Sequence, residues 1–108
     1  MAFFELRQYR IQPGQMQRWV KFFDEVIVPY QVSRGMIVVG SWQGQGEDDD
    51  LFVWIRRFES EEDYERIRKN TYETDEWRND MSPSVGEMMI RDKIVVARLE
   101  ATPLSILR

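Results

Sequence analysis

Residues 3–19, FFELRQYRIQPGQMQRW, constrain the fold more than any other part of the chain. The periodicity of this stretch changes once, at Pro13-Gly14. In an extended segment successive side chains point to opposite faces, which puts Phe4 and Leu6 on one face and Glu5, Arg7 and Tyr9 on the other. Pro13 lacks an N–H and Gly14 tolerates unusual backbone angles, so the strand stops there. Beyond the turn, Met16, Trp19, Val20, Phe23 and Ile27 recur at the spacing of a helix with one buried side. A strand with one apolar face and one charged, aromatic face must meet something on each side.

The remaining elements follow from local signals. The first helix is expected over residues 14–28, kinked or ended by Pro29, with an irregular turn through Tyr30 and Val32 and a stop at Gly35. Residues 36–42 are β-branched and bulky and predict a second strand. Gly44, Gly46 and the acids Glu47 to Asp50 connect it to a third strand, Leu51–Phe58, as a hairpin. Ser60 caps a second helix, with Asp63 three residues on completing a capping box. Its Tyr64 and Ile67 face inward. This helix weakens at Asn70-Thr71. Asp75 caps a further short helix with Trp77 and Met81 inward, ended by Ser82-Pro83. Residues 88–99 predict the last strand, followed by an extended tail.

The order β-α-β-β-α-β folds into a four-stranded antiparallel sheet with both helices on one face and the first and third strands adjacent at its centre. The uncovered face is expected to carry Phe3, Tyr9, Ile11, Trp54 and Phe58. That is too much apolar surface to leave in water, so sheet-to-sheet homodimerisation is expected, with the tail beyond Pro103 reaching the partner. The 108 residues suit one domain, 1–108.

Composition narrows the chemistry. The net charge of −4 argues against nucleic acid, which needs a basic stripe. No apolar run approaches the ~20 residues that span a bilayer, and no leader is visible at the N-terminus, so a cytoplasmic protein is expected. The chain has no Cys and no His. Disulfides, thiolate nucleophiles and Cys- or His-based metal and haem ligation are excluded, as is the side chain best poised for proton transfer near neutrality. No cofactor and no metal are expected.

The strings ELRQY…PG, GSW, FVWIRRFES, TDEW and IVVARLEATPLS, in this order and spacing, resemble the NIPSNAP family over nearly the whole chain. The resemblance implies a ferredoxin-like subunit of the dimeric α+β barrel group. Members of that group have unrelated activities, so it implies little about function. Some of them bind haem through His, which this chain lacks. The chain also departs from the family pattern at Trp54 and Arg56, where relatives often carry His and Trp.

The candidate ligand-binding residues are Glu5, Arg7 and Tyr9 on the first strand and Trp54, Arg56 and Phe58 on the third. As a site, they would form a polar pocket with aromatic walls, two cations and a carboxylate, suited to an anionic or aromatic ligand. As structure, Glu5 would pair with Arg7 or Arg56 to set strand register. Trp42 and Tyr72 suit the core more than a pocket wall. The acids Glu47 to Asp50 lack a calcium loop's alternation and suit a solvated hairpin tip. Arg66, Arg68 and Lys69 are expected to pair with Glu61 to Glu65 one turn away.

Three functions fit. The first is a homodimer binding a small organic ligand. The second is a cofactor-free monooxygenase or isomerase-type enzyme, with Tyr9 or a Glu5 of raised pKa accepting the proton. The third is an interaction module without a ligand.

Overall fold

Tertiary contacts, rather than local propensity, decide where each element of this chain ends. A computed structural model describes residues 1–108. Its strands are β1 (Phe3–Arg10), β2 (Ile37–Gln43), β3 (Leu51–Phe58) and β4 (Val95–Leu99), all antiparallel, in the order β2-β3-β1-β4. The α+β ferredoxin-like order expected from the sequence is therefore the observed one, with β1 and β3 central. No helix is long and apolar enough to cross a membrane.

The first helical layer comprises α1 (Met16–Phe22), a π-wound turn (Phe23–Ile27) and α2 (Val28–Ser33). The helix thus continues through Pro29, which the sequence predicts as its break. In the π register the Val28 N–H reaches the Phe23 carbonyl five residues back, and Pro29 then falls in the first turn of α2, where a missing N–H costs little. Gly35 ends this layer at φ +99, an angle only glycine adopts freely.

The second layer comprises α3 (Glu61–Tyr72), a π-wound turn (Glu76–Met81) and α4 (Ser82–Met88). Ser60 caps α3, its hydroxyl accepting from the Asp63 N–H at 3.1 Å. The Asp63 carboxylate turns to Arg66 at 3.0 Å, so the reciprocal half of the capping box is absent. Thr71 does not break the helix, because its buried hydroxyl bonds back to the Ile67 carbonyl. At the next cap the Thr74 hydroxyl, not Asp75, accepts from the Trp77 N–H. Pro83 starts α4 instead of ending the preceding turn, and α4 takes Met88 out of the predicted strand. Met89 then forms an isolated bridge with Ile11 before a 3-10 turn at Arg91–Lys93.

The alternation along β1 is as expected, but the helices cover the opposite face. Glu5, Arg7 and Tyr9 lie opposite Arg56, Trp54 and Phe52 of β3, and all six point beneath the helices. Trp19 meets Tyr9 and Phe52 at ring distances of 5.9 and 5.6 Å, and Phe23 meets Trp54 at 5.0 Å. Tyr9, Ile11, Trp54 and Phe58 are therefore core residues of one chain, and Phe3 meets Tyr64 of α3 edge-on. The reason is area. The aromatic face has more surface to remove from water than the face bearing Leu6, Val53 and Ile55, and at ~25 cal/mol per Å² it gains more from being covered.

The uncovered face is aliphatic apart from Phe4 and Trp42, with Trp42, Val95 and Leu99 exposed at 53%, 56% and 41%. Trp42 is thus neither core nor pocket wall. The tail folds back along this face, lining a groove with Phe4, Trp42 and Ile55 through Thr102, Ser105 and Leu107, and Arg57 Nε donates to the Arg108 carbonyl at 2.7 Å.

The cap on α3 gives a direct test of this local reading. Ser60→Ala should lower stability by about 1 kcal/mol, measured by urea unfolding with an unchanged m-value. A change below the error of that measurement would mean that packing alone holds the helix start.

Candidate ligand-binding site

Arg56 on β3 is fully buried, and its guanidinium is the hub of the site. A buried cation needs an opposite charge and partners for its remaining N–H groups. Strand register supplies the charge, because Glu5 is the Cα partner of Arg56 across β1 and β3. Arg56 Nη2 and Nε both donate to Glu5 Oε1, the latter at 3.2 Å. Arg56 Nη1 donates to Gln31 Oε1 of α2 at 3.1 Å and to the Tyr72 hydroxyl of α3 at 2.6 Å. Gln31 Nε2 closes the triangle with Tyr72 at 2.9 Å. One guanidinium therefore ties both helical layers to the sheet.

Two further arginines converge on Glu5. Arg7 Nη1 lies 3.4 Å from Glu5 Oε1, while its Nε donates to the Tyr9 hydroxyl at 2.8 Å. Arg68 of α3 lies 3.8 Å from Glu5 Oε2 and donates to the Tyr64 hydroxyl at 2.8 Å; Tyr64 in turn donates to Glu5. Three guanidiniums against one carboxylate leave two positive charges in excess. Burial pushes the Glu5 carboxyl up, but Arg56, Arg7 and Arg68 outweigh it and hold Glu5 below the usual carboxylate range. This is the reverse of the raised pKa that a general base at this position would need. Burial pushes the Tyr9 phenol up, against the pull of Arg7, so Tyr9 is protonated at neutral pH.

Beside this network, between sheet and helices, lies a cavity of about 200 Å³. The sequence places a pocket between two sheets of a dimer; the structure has it inside one chain, because the aromatic face is the covered one. Of the candidate residues, Arg7, Tyr9 and Trp54 line the cavity. Glu5 and Arg56 lie behind it, orienting the wall. Phe58 belongs to a separate cluster with Met36 and Ile67.

The sequence reading missed Gln31, Arg68, Trp77 and Arg91 and preferred the core for Tyr72. Arg68 does not join Arg66 in pairing with the acids of its own helix, and Tyr72 is a wall residue rather than core. The signal for these was the i, i+4, i+8 spacing of Tyr64, Arg68 and Tyr72 on one side of α3. Gln31 and Trp77 are positioned by the helix continuing past Pro29 and by the second π turn, and nothing local announces either.

Fourteen residues line the cavity, three of them arginines and none an Asp or Glu. The walls also include Trp19, Phe23, Tyr72 and Trp77. The indole N–H groups of Trp19 and Trp54 are buried without an acceptor in the protein. Both π-wound turns contribute to the lining, through Phe23, Ile27 and Trp77, and such turns recur at functional sites. Chemically this is a cationic, aromatic enclosure rich in donors.

The NIPSNAP family profile matches residues 4–103. The chain belongs to the NIPSNAP family. Among solved structures, it is similar to a NIPSNAP family protein from Agrobacterium tumefaciens, at 21% identity and a TM-score of 0.88, covering all of both chains. A second Agrobacterium tumefaciens NIPSNAP protein, described as of unknown function, matches at 20% identity and a TM-score of 0.89, over 99% of this chain and 94% of that one. A NIPSNAP-like domain protein from Burkholderia xenovorans matches at 16% identity and a TM-score of 0.86, over 96% and 88%. These likenesses support the fold of this NIPSNAP chain. No curated protein matches it in sequence.

Because the Glu5 pKa is lowered in the folded state, its ionised contacts stabilise the protein fully above the unfolded value of about 4.3 and are lost as pH falls through the lower folded value. Acid unfolding monitored by circular dichroism should therefore steepen below about pH 4. Glu5→Gln should remove that part of the pH dependence and lower neutral-pH stability by about 3 kcal/mol, since it leaves Arg56 without its counter-charge. An unchanged acid limb in the variant would assign the transition to other carboxylates.

Proposed function

We propose that this NIPSNAP protein, a single domain over residues 1–108, is a homodimer that binds one small organic anion in the cavity of each subunit. The observation that carries the reading is the lining itself. Arginines supply positive charge, aromatic rings supply flat apolar walls, and no carboxylate stands among them to neutralise an incoming anion. At about 200 Å³ the cavity lies below the ~300 Å³ lower end for drug-sized ligands, which favours a compact molecule. The ionisation states favour binding over acid–base catalysis: Glu5 is held anionic by three arginines, and Tyr9 is held protonated. The open volume favours a ligand over a pure interaction module.

The dimer uses the aliphatic sheet face. Ile37, Trp42, Val95 and Leu99 are exposed there, and the neighbouring tail holds Leu104 and Ile106 at 87% and 98% exposure. A second copy packed on this face, with the tails crossing, removes that surface from water. The residues that favour association are thus Leu6, Ile55 and Leu99, not the aromatic set beneath the helices. Since the cavity lies within one chain, binding and dimerisation separate experimentally.

Arg7→Ala should weaken benzoate binding by more than about 1.5 kcal/mol by isothermal titration calorimetry, with the dimer intact. Unchanged benzoate binding in a variant that is destabilised or falls to monomers would make Arg7 purely structural. Ile55→Asp should shift the light-scattering mass from a dimer toward the 13.0 kDa monomer while leaving benzoate binding in place. A wild-type mass of 13.0 kDa at micromolar concentration would remove the dimer and leave the cavity proposal standing.

A further inference from the structure

Counting donors and acceptors narrows the ligand further than charge does. This inference rests on the cavity reading above. A phenol hydroxyl has one proton to give and two lone pairs to receive. At Tyr72 both lone pairs are engaged, by Arg56 Nη1 at 2.6 Å and by Gln31 Nε2 at 2.9 Å. The orientation of the Gln31 amide is fixed by Arg56, which can only donate and so must face Oε1. The Tyr72 proton therefore cannot enter the triangle, and no protein acceptor receives it. Tyr72 lines the cavity. The Tyr9 hydroxyl is in the same condition. It accepts from Arg7 Nε at 2.8 Å, has no protein acceptor for its own proton, and lines the same cavity. Tyr64, by contrast, is satisfied, accepting from Arg68 and donating to Glu5.

Each of the two free phenol protons is on an oxygen that already accepts from a guanidinium. Chains of hydrogen bonds polarise one another, so each phenol is a stronger donor than an isolated one. Burial, with Tyr72 close by, pushes the Tyr9 phenol up and keeps it a donor. Two polarised O–H groups with Arg7 beside them make an arrangement aimed at concentrated negative charge on oxygen.

We propose that Tyr72 and Tyr9, with Arg7, form an oxyanion-binding site selective for a compact aromatic phenolate or enolate over a carboxylate of the same size. A single oxygen with its charge concentrated can take both phenol protons and remain within reach of Arg7. A carboxylate spreads its charge over two oxygens and matches a guanidinium fork better than a pair of phenols. Gln31 acts here as a positioning residue. It closes the triangle that turns the Tyr72 proton outward, from a place in the cavity wall.

The test uses the purified full chain and two probes of matched body, 4-nitrophenol and 4-nitrobenzoate, with absorbance reporting the ionisation of the first. The wild-type protein should bind 4-nitrophenolate roughly tenfold tighter than 4-nitrobenzoate and lower the apparent pKa of bound nitrophenol by about one unit or more. Tyr72→Phe and Tyr9→Phe should each lose roughly tenfold in nitrophenolate affinity and reduce the spectral shift, with 4-nitrobenzoate affinity nearly unchanged. Gln31→Met should reduce the shift in the same direction. If Tyr72→Phe fails to fold, Tyr9→Phe and the wild-type spectral shift decide the question. Equal or tighter binding of 4-nitrobenzoate with no shift in nitrophenol ionisation would overturn the oxyanion assignment and leave the anion-binding reading intact. Binding of neither probe would overturn both.

Discussion

The pairing of Glu5 with Arg56 is the interaction on which the rest of this structure depends. Both groups are buried on the central strands, directly across from one another. Such a pair rarely adds net stability, because desolvation offsets most of the attraction, but leaving either member alone is expensive. Its consequence is therefore register more than strength. A one-residue slip of β1 against β3 would turn Glu5 to the aliphatic face and leave Arg56 without its counter-charge. The same guanidinium reaches Gln31 and Tyr72, so the docking of both helical layers is referred to a single point on the sheet. The face of the guanidinium also lies 4.8 Å from the Trp54 ring, which adds cation–π attraction to the anchoring.

That arrangement separates two tasks among three arginines of similar location. Arg56 is consumed by the protein itself. Arg7 and Arg68 are partly satisfied and line the cavity, each over an aromatic ring, Tyr9 for one and Tyr64 and Tyr72 for the other. Stacking on rings holds a guanidinium in place without occupying its in-plane donors. Cationic walls can thus be rigid before any ligand arrives. Lysine, a point charge on a flexible stem, would serve less well here.

Much of the fold was legible in the sequence because its signals are periodic. The strand alternation of Phe4 and Leu6 against Glu5, Arg7 and Tyr9, the Leu51–Phe58 strand and the Ser60 cap all appear where local pattern places them. What alternation cannot say is which face a helix will cover. Alternation leaves the aromatic and charged face open to a dimer partner, and area places it in the core instead. The site was half legible for a related reason. Residues on adjacent strands come together by register alone, which brought Glu5, Arg7, Tyr9, Trp54 and Arg56 into one neighbourhood. Gln31, Arg68 and Tyr72 come from helices, whose placement depends on packing across dozens of residues. Proline also misled the reading twice, at Pro29 and Pro83, because each falls in the first turn of a new helical segment where its missing N–H is harmless.

The π-wound turns bear on how length variation would act on this chain. A π turn amounts to one residue more than an α-helix needs over the same rise. An α-helix advances ~100° per residue, and the wide turn at Phe23–Ile27 absorbs that advance for its surplus residue, so the segments on either side keep the phase of one regular helix. Losing one residue from the turn would restore regular winding, with Trp19 still seated on Tyr9 and Gln31 still beside Arg56. The surplus residue is in this sense a length buffer between two halves of one helical layer. One half is set by aromatic packing and the other by the polar triangle. Homologous chains that lack it could meet the buried guanidinium with the same side chain, one position earlier in the count.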